Sequence, residues 1–440
     1  MLEERWRQVV SERADDWALL EPASGRSWTF RQLAAAADAE GAPRTGPSGL
    51  VCPSGNGPEF ILTVLRAWRA GAVVCPLEPG QSIPSVAPPP TAIVHLKLTS
   101  GTTGIARAVA FTAAQLAADV DQLVPTMGLH PGWPNLGVIS LAHSYGFSNL
   151  VTPLLLHGIP LILAPSALPA AVHNAAAAVN SPLTLPAVPA LWRVWHDAEA
   201  IPPNVRLALS AGAPLPIHLE QAVFARSGLK LHNFLGASEC GGIAYDPTPV
   251  PRSDPAWIGS PITGVQLTNT DDGRLVVSAS SVGEGYWPLD SEGRERLGGG
   301  RYIGADLIEL APDGGIWLRG RTSEFINVAG RKVAPDLIEA ALLSHGDIVD
   351  CLAFAIPDLE GRGECVGAVV VPRRELSAGE LRDFLLTHLP AWQIPRRWWW
   401  RQQLETDARG KRSRREWRER LLTTPDEPVH PVPSGSKTLN

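Results

Sequence analysis

Three short segments carry residue types that could do chemistry on an anion. The first, Thr99-Ser100-Gly101-Thr102-Thr103-Gly104, is made of hydroxyls and glycines and follows an apolar run. Glycine lets a backbone fold closely around phosphate oxygens, and the freed N–H groups and hydroxyls then donate to them. It is not a Walker A loop, because G-x-x-x-x-G-K-[ST] is not matched. The same composition also describes a flexible Ser/Thr/Gly turn. The second, Gly236-Ala237-Ser238-Glu239, presents a carboxylate that alone reads as a surface-loop glutamate. The third, Gly410-Lys411, lies in a basic run with Arg409, Arg412, Arg414, Arg415, Arg418 and Arg420. Taken alone, such a run is a solvated face or a nucleic-acid patch.

These segments need elements to hold them. Ser27–Phe30 followed by an alanine-rich run predicts a strand entering a helix, and residues 49–77 repeat the alternation. Gly49–Cys52 is a short strand. Pro58–Arg69 is a helix with apolar spacing at Phe60, Leu62, Val64, Leu65 and Trp68. Ala72–Leu77 is a second buried strand. Such alternation implies parallel pairing in an α/β sheet. Ser82–Pro90 holds four prolines in nine residues and reads as a rigid connector. Ala92–Leu98 is the strand that delivers the glycine/threonine loop, and Val205–Leu209 precedes another turn. From Arg274 the texture becomes antiparallel, with Asp306–Glu309 and Ile316–Arg319 flanking the turn Asp313-Gly314-Gly315. A compact mixed pattern follows: helix 335–343, strand 349–356, strand 365–371 and helix 378–389, the size of a small α+β domain. From Thr423 onward Pro, Ser, Asp and Thr dominate, and disorder is expected.

The chain has 440 residues, room for two or three domains. Apolar residues at 45% and charged residues at 19% describe a soluble globular protein, and a net charge of −6 argues against nucleic acid as partner. Cys52, Cys75, Cys240, Cys351 and Cys365 form no C-x-x-C pair, which suggests reduced thiols and a cytoplasmic location. Met1–Arg5 is charged and lacks a signal-peptide core. Leu150–Val172 is apolar, but Pro153, Pro160, Pro165 and Pro169 interrupt it. It is expected as a buried helix, 149–156, then a core strand, 160–163, not a membrane span.

Together and in this order, the three segments resemble the AMP-forming adenylating family: acyl-CoA synthetases, nonribosomal peptide adenylation domains and luciferases. Leu98–Val109 resembles its phosphate loop, T-S-G-T-T-G-x-P-K, with Ala106 for proline and Arg107 for lysine. Arginine keeps the charge but not the point geometry. Gly236–Glu239 resembles G-x-T-E, with Ser238 for threonine, and implies Glu239 and Thr102 at Mg²⁺, a hard cation preferring oxygen ligands. The family's tyrosine before that glycine is missing, so adenine stacking falls to Phe234. Ser210–Pro216 resembles the adenine-binding turn through Gly212, Ala213 and Pro214, and equally reads as a strand-to-helix turn. Tyr302–Asp306 resembles Y-x-T-G-D, departing at Gly304 and Ala305. It implies Asp306 on the ribose hydroxyls, with Arg321 reaching the same sugar.

Gly320–Val333 resembles the junction G-R-x-D-x-x-I-K-x-x-G-x-x-[IV], with Ser323 at the hinge and Gly330 in the loop lining a thiol tunnel. Leu404–Arg414 resembles L-P-x-T-x-x-G-K-x-x-R, with Glu405 for proline. There Lys411 would bridge the attacking carboxylate and the α-phosphate, neutralising charge that grows in the transition state. His143 in Leu141–Phe147 resembles the family's H-x-x-G gate, while a lone histidine is also an ordinary structural residue.

The resemblance implies a large N-terminal domain of mixed β-sheets flanked by helices, residues 1–321, with a shortened N-terminal subdomain. A small mobile α+β domain follows over 322–422, then a tail over 423–440. It implies activation of a small carboxylic acid by ATP and Mg²⁺ to acyl-AMP, then thioester formation with CoA or a carrier-protein phosphopantetheine. Ser144, Tyr145, Phe147 and Ser148 offer no carboxylate for a substrate ammonium, which favours a fatty or aryl acid, as in fatty acid metabolism, over an amino acid. The departures from the motifs leave a second reading, a non-catalytic nucleotide- or acyl-AMP-binding relative.

Overall fold

The computed structural model describes residues 1–41, 43, 45–46, 49–82, 89–99, 107–288, 295–312, 314–321, 325–328, 331–357, 364–405 and 412–423, with the backbone alone at 99, 107 and 332. It divides into two units. One comprises Met1–Gly304 and Leu310–Trp317, the other Ala305–Glu309 and the chain from Leu318. Sheets flanked by helices in the first unit and a smaller sheet-and-helix second unit give the expected α/β class.

In the first unit, alternating apolar strands and helices build a parallel sheet. Leu231–Ala237, Val205–Ser210, Leu183–Ala187, Asn135–Gly137, Leu161–Leu163 and Trp17–Glu21 pair in that order, all parallel. Arg26–Thr29 closes one edge antiparallel to Trp17–Glu21. At the other end Gly241–Tyr245 turns back on Leu231–Ala237, and Trp257–Pro261 follows, again antiparallel. Leu183–Ala187 is buried throughout, as a strand covered on both faces must be. The crossover helices Pro169–Ala177 and Pro189–Asp197 open on prolines, whose missing N–H costs nothing in a first turn.

A second sheet runs Gly285–Trp287, Arg107–Thr112, Ile93–Thr99, Val73–Val74, Leu50–Val51. Its last three strands are parallel and its first three antiparallel. Thr112 and Gln115 form a reciprocal capping box that starts helix Ala113–Met127 where Arg107–Thr112 ends. Phe30, Leu33, Phe60, Leu65, Val120, Phe147 and Leu154 share one core.

Helices Pro58–Arg69 and Pro335–Leu343 keep their expected bounds. The helix expected over 149–156 instead begins at Ser144 and passes through a wide turn, Phe147–Val151, into Thr152–His157. Pro153 has no N–H for a regular bond, and the Thr152 N–H reaches back five residues to the Phe147 carbonyl. The helix expected to reach 389 ends at Leu386, because Pro390 pushes the preceding residue out of helical geometry. Among the described residues no helix is long and apolar enough to cross a membrane.

In the second unit Ile348–Pro357 and Glu364–Pro372 form a long antiparallel pair. Ile326–Val328 and Arg397–Trp400 add parallel to Glu364–Pro372. Period-two alternation divides that strand between two cores. Val366, Ala368 and Val370 share a core with Ile338, Leu342, Leu381 and Leu385, whereas Cys365, Val369 and Val371 share one with Trp399, Trp417 and Leu421. Gly367 falls on the second face, where a Cβ would come within 2.9 Å of the Trp399 ring.

Candidate functional site

The glycine/threonine loop joins a β-hairpin. Ile93–Thr99 pairs antiparallel with Arg107–Thr112, and the last pair of the register is Thr99 with Arg107. Ser100, Gly101, Thr102, Thr103 and Gly104, and the side chains of Thr99 and Arg107, lie outside the described residues.

Below the hairpin tip sits a buried polar cluster. The Lys97 Nζ donates to Ser148 Oγ at 3.3 Å, lies 3.8 Å from Asp119 Oδ2 and stands 4.6 Å from the Phe111 ring centroid. Ser148 Oγ donates to Asp119 Oδ2 at 2.6 Å, and the Gly242 N–H donates to Asp119 Oδ1 at 3.1 Å. Asp119 thus ties the hairpin, the helix after it, the helix that starts at Ser144 and the turn behind Glu239. Gly241, at φ +76°, leaves room for this carboxylate, since a Cβ there would lie 2.0 Å from Asp119 Oδ1. Burial lowers the Lys97 pKa, and the nearby Asp119, Cys240 and Glu239 pull it back up. His95, two residues away on the same face, is buried against Phe147 at 4.4 Å, and burial holds it neutral.

Gly236–Glu239 runs into a tight connection, Ser238–Cys240, between Leu231–Ala237 and Gly241–Tyr245. A Cβ on Gly236 would press to 3.0 Å on the Gly241 carbonyl oxygen. Glu239 Oε1 accepts from Tyr286 Oη at 3.0 Å, and its carbonyl accepts from the Gly283 N–H at 2.8 Å. Ser144 Oγ donates to Ser238 Oγ at 2.8 Å. The segment at His143–Ser144 and the acidic loop, far apart in sequence, therefore meet.

His143 caps the helix: its Nδ1 accepts from the Tyr145 N–H at 3.3 Å, so that nitrogen carries no proton. Tyr145 Oη donates to the Leu209 carbonyl at 3.4 Å, and its ring lies 6.0 Å from that of buried Phe234. Burial raises the Tyr145 phenol pKa. Gly212, at φ +85°, makes the left-handed bend between Val205–Ser210 and the following helix, and Ala213 and Pro214 complete that turn. His143, Tyr145, Phe234, Ser238 and Glu239 thus come together around the ends of the central strands.

In the second unit Arg321 Nε donates to Asp306 Oδ1 at 2.5 Å, so these two residues are partners. Ser323, Gly330 and Lys411 lie outside the described residues. The basic run beyond Lys411 is not a bare solvated face. Arg412 forks onto both Asp350 oxygens at 2.7 and 2.5 Å. Arg414 bonds Glu339 at 2.9 Å and pairs with Asp336. Arg415 and Arg420 pair with Glu419 and Glu405.

Two partnerships escaped sequence reasoning. Tyr286, which holds Glu239, lies in no motif. Lys97 carried a usable signal, a charge in an otherwise apolar buried strand, which requires a buried partner.

Residues 81–287 match the family model of the AMP-binding enzyme, and residues 337–411 match that of the AMP-binding enzyme C-terminal domain. The long-chain-fatty-acid–CoA ligase of Bacillus subtilis (strain 168) is 26% identical over 357 residues, covering 77% of this chain and 63% of that one. The 4-hydroxybenzoate–CoA/benzoate–CoA ligase of Rhodopseudomonas palustris is 26% identical over 325 residues, covering 69% and 60%. The chain spans about three fifths of the length of these curated relatives. The solved O-succinylbenzoate coenzyme A synthetase from Bacillus subtilis, in complex with AMP, has a TM-score of 0.80 at 19% identity, covering 92% of this chain and 96% of that one, a likeness of fold.

Proposed function

The chain belongs to the AMP-forming adenylating enzyme family, and we propose that it activates a carboxylic acid with ATP and passes the acyl group to a thiol. The observation that carries this reading is the meeting of Ser144 with Ser238, and of Tyr286 with Glu239, at the ends of the central strands. The carboxylate attacks the α-phosphate, the O–P bond to pyrophosphate breaks, and acyl-AMP forms. Lys411 neutralises the charge that grows there. Thr99–Gly104 and Arg107 hold the departing phosphates, Gly212–Pro214 and Phe234 the adenine, and Asp306 with Arg321 the ribose. Glu239 fits a hard cation, with Tyr286 on one carboxylate oxygen, and Thr102 would supply a further oxygen ligand. Mg²⁺ there would neutralise phosphate charge. Rotation about Ser323 withdraws Lys411 and brings the loop at Gly330 to the acyl-AMP for attack by the thiol.

A fatty or aryl acid is the favoured substrate. Tyr145 and Phe234 pair as aromatic rings, and Asp119, brought to Ser148, is already paired with Lys97 and does not serve a substrate ammonium. CoA is the favoured acceptor, with carrier-protein phosphopantetheine as the alternative thiol. The test is pyrophosphate release from Mg-ATP against fatty, aryl and amino acids, with and without CoA. Acid-dependent release accelerated by CoA supports an acid–CoA ligase. Release indifferent to CoA points to the carrier protein, and no release with any acid overturns the catalytic reading.

A further inference from the structure

Cys52 and Cys75 are far apart in sequence but directly opposed across two parallel strands. The pairs Leu50–Val73 and Val51–Val74 precede them in register, and the bridge Ser54–Leu77 follows with the same offset. The Cys75 N–H donates to the Val51 carbonyl at 2.8 Å, and the Leu77 N–H to the Pro53 carbonyl at 3.0 Å, so the ladder continues past both cysteines. In-register residues on neighbouring strands send their side chains to the same face, with backbones roughly 4.8 Å apart. That spacing falls inside the Cα range of about 4.4–6.8 Å that a disulfide spans. Both thiols are free, Cys75 buried and Cys52 half-buried. The two thiols perturb each other: Cys75 holds the Cys52 pKa down, and Cys52 together with burial pushes that of Cys75 up. Cys351 and Cys365, also on adjacent strands, are not opposed: their register partners are Val370 and Ile356.

The loops that leave these two strands hold one segment. Asn56 Oδ1 accepts from the Leu141 N–H at 2.9 Å, and Glu78 Oε2 accepts from Ser140 Oγ at 2.9 Å. That segment leads directly to His143.

We propose that Cys52 and Cys75 form a redox-sensitive thiol pair that a hydroperoxide closes into a disulfide, clamping the two loops that hold Ser140 and Leu141. The half-exposed Cys52 thiolate attacks the peroxide O–O bond and, with one proton, becomes the sulfenic acid while the alcohol or water leaves. The Cys75 sulfur then attacks the Cys52 sulfur, the S–S bond forms, and water departs with the Cys75 proton. Two electrons pass from the sulfurs to the peroxide. The step is independent of the adenylation reading, and so is its test.

The full chain is treated with hydrogen peroxide, thiols are blocked, and peptides are mapped with and without dithiothreitol. The expected result is a Cys52–Cys75 cross-linked peptide that dithiothreitol removes and Cys52→Ser abolishes. In Cys75→Ala, hydrogen peroxide in the presence of dimedone should leave a dimedone adduct on Cys52. Hydrogen exchange at the Leu141 amide, whose N–H is held by Asn56, should slow at least ~3-fold in the oxidised protein. Two unmodified thiols, over-oxidation of Cys52 without a link, a link to another cysteine, or unchanged exchange at Leu141 would each overturn the proposal. Thermal melts check that both variants fold. If Cys75→Ala does not, the wild-type map and Cys52→Ser still decide.

Discussion

Lys97→Met removes the ammonium from a buried pair and leaves the apolar stem. Two unit charges 3.8 Å apart interact with about 4 kcal/mol at an effective dielectric of about 20. Removing one partner of a buried pair typically costs about 3–5 kcal/mol, because the other charge stays buried. Asp119 keeps its donors Ser148 and Gly242, which moves the expectation to the lower end, about 3 kcal/mol. In Lys97→Met/Asp119→Asn the residual charge is gone while the new amide oxygen still accepts from the Gly242 N–H, so much of the loss should return. The assay is urea unfolding of the four members of this cycle, which isolates the coupling between the two sites. A coupling of at least ~2 kcal/mol is expected. A loss under ~1 kcal/mol for Lys97→Met, or a coupling near zero, would refute the buried ion pair as a determinant of this region.

Glu239→Gln should weaken Mg²⁺ dependence and sharply reduce acid-dependent pyrophosphate exchange; near wild-type exchange removes Glu239 from the site. Tyr286→Phe deletes a hydrogen bond to a carboxylate, a contribution of about 1.5–3 kcal/mol, so kcat/KM for adenylation should fall at least ~10-fold with the fold intact by circular dichroism. Lys411→Ala should abolish acyl-AMP formation yet largely spare thioester formation from supplied acyl-AMP, and equal loss of both half-reactions would sink the alternation about Ser323. Gly146→Ala places a Cβ 1.9 Å from the Ser140 carbonyl oxygen, so it should cost about 1–3 kcal/mol, read as a fall in the urea midpoint.

What was legible in the sequence was local. Pro58–Arg69 and Pro335–Leu343 announce themselves by a proline at the first turn and an apolar stripe, and both keep their expected bounds. The strand before the glycine/threonine loop was legible as a short apolar run, and it spans Ile93–Thr99. The wide turn at Phe147–Val151 was not, because periodicity reports which face is buried and not which carbonyl an N–H selects. Legibility also failed where one polar group meets another far along the chain. Glu239 was readable as a motif residue, but Tyr286 is chosen by the arrangement of Gly285–Trp287 beside Arg107–Thr112. Cys52 and Cys75 looked unpatterned because their relation is a strand register, set by the residues around them.

Gly146 shows how a motif can be legible while its cause is not. The pattern from His143 to Gly146 reads as a gate, and a glycine within it suggests freedom to move. Here Gly146 is buried in ordinary helical geometry, at φ −69°, and its missing Cβ lets the helix start pack on the Ser140 carbonyl. The glycine therefore fixes the segment in place. His143 adds a second constraint by capping the same turn, and Asn56 and Glu78 a third by holding Leu141 and Ser140. A segment held at three points can move only if one of them yields, and two of the contacts that hold it come from the loops that follow Cys52 and Cys75.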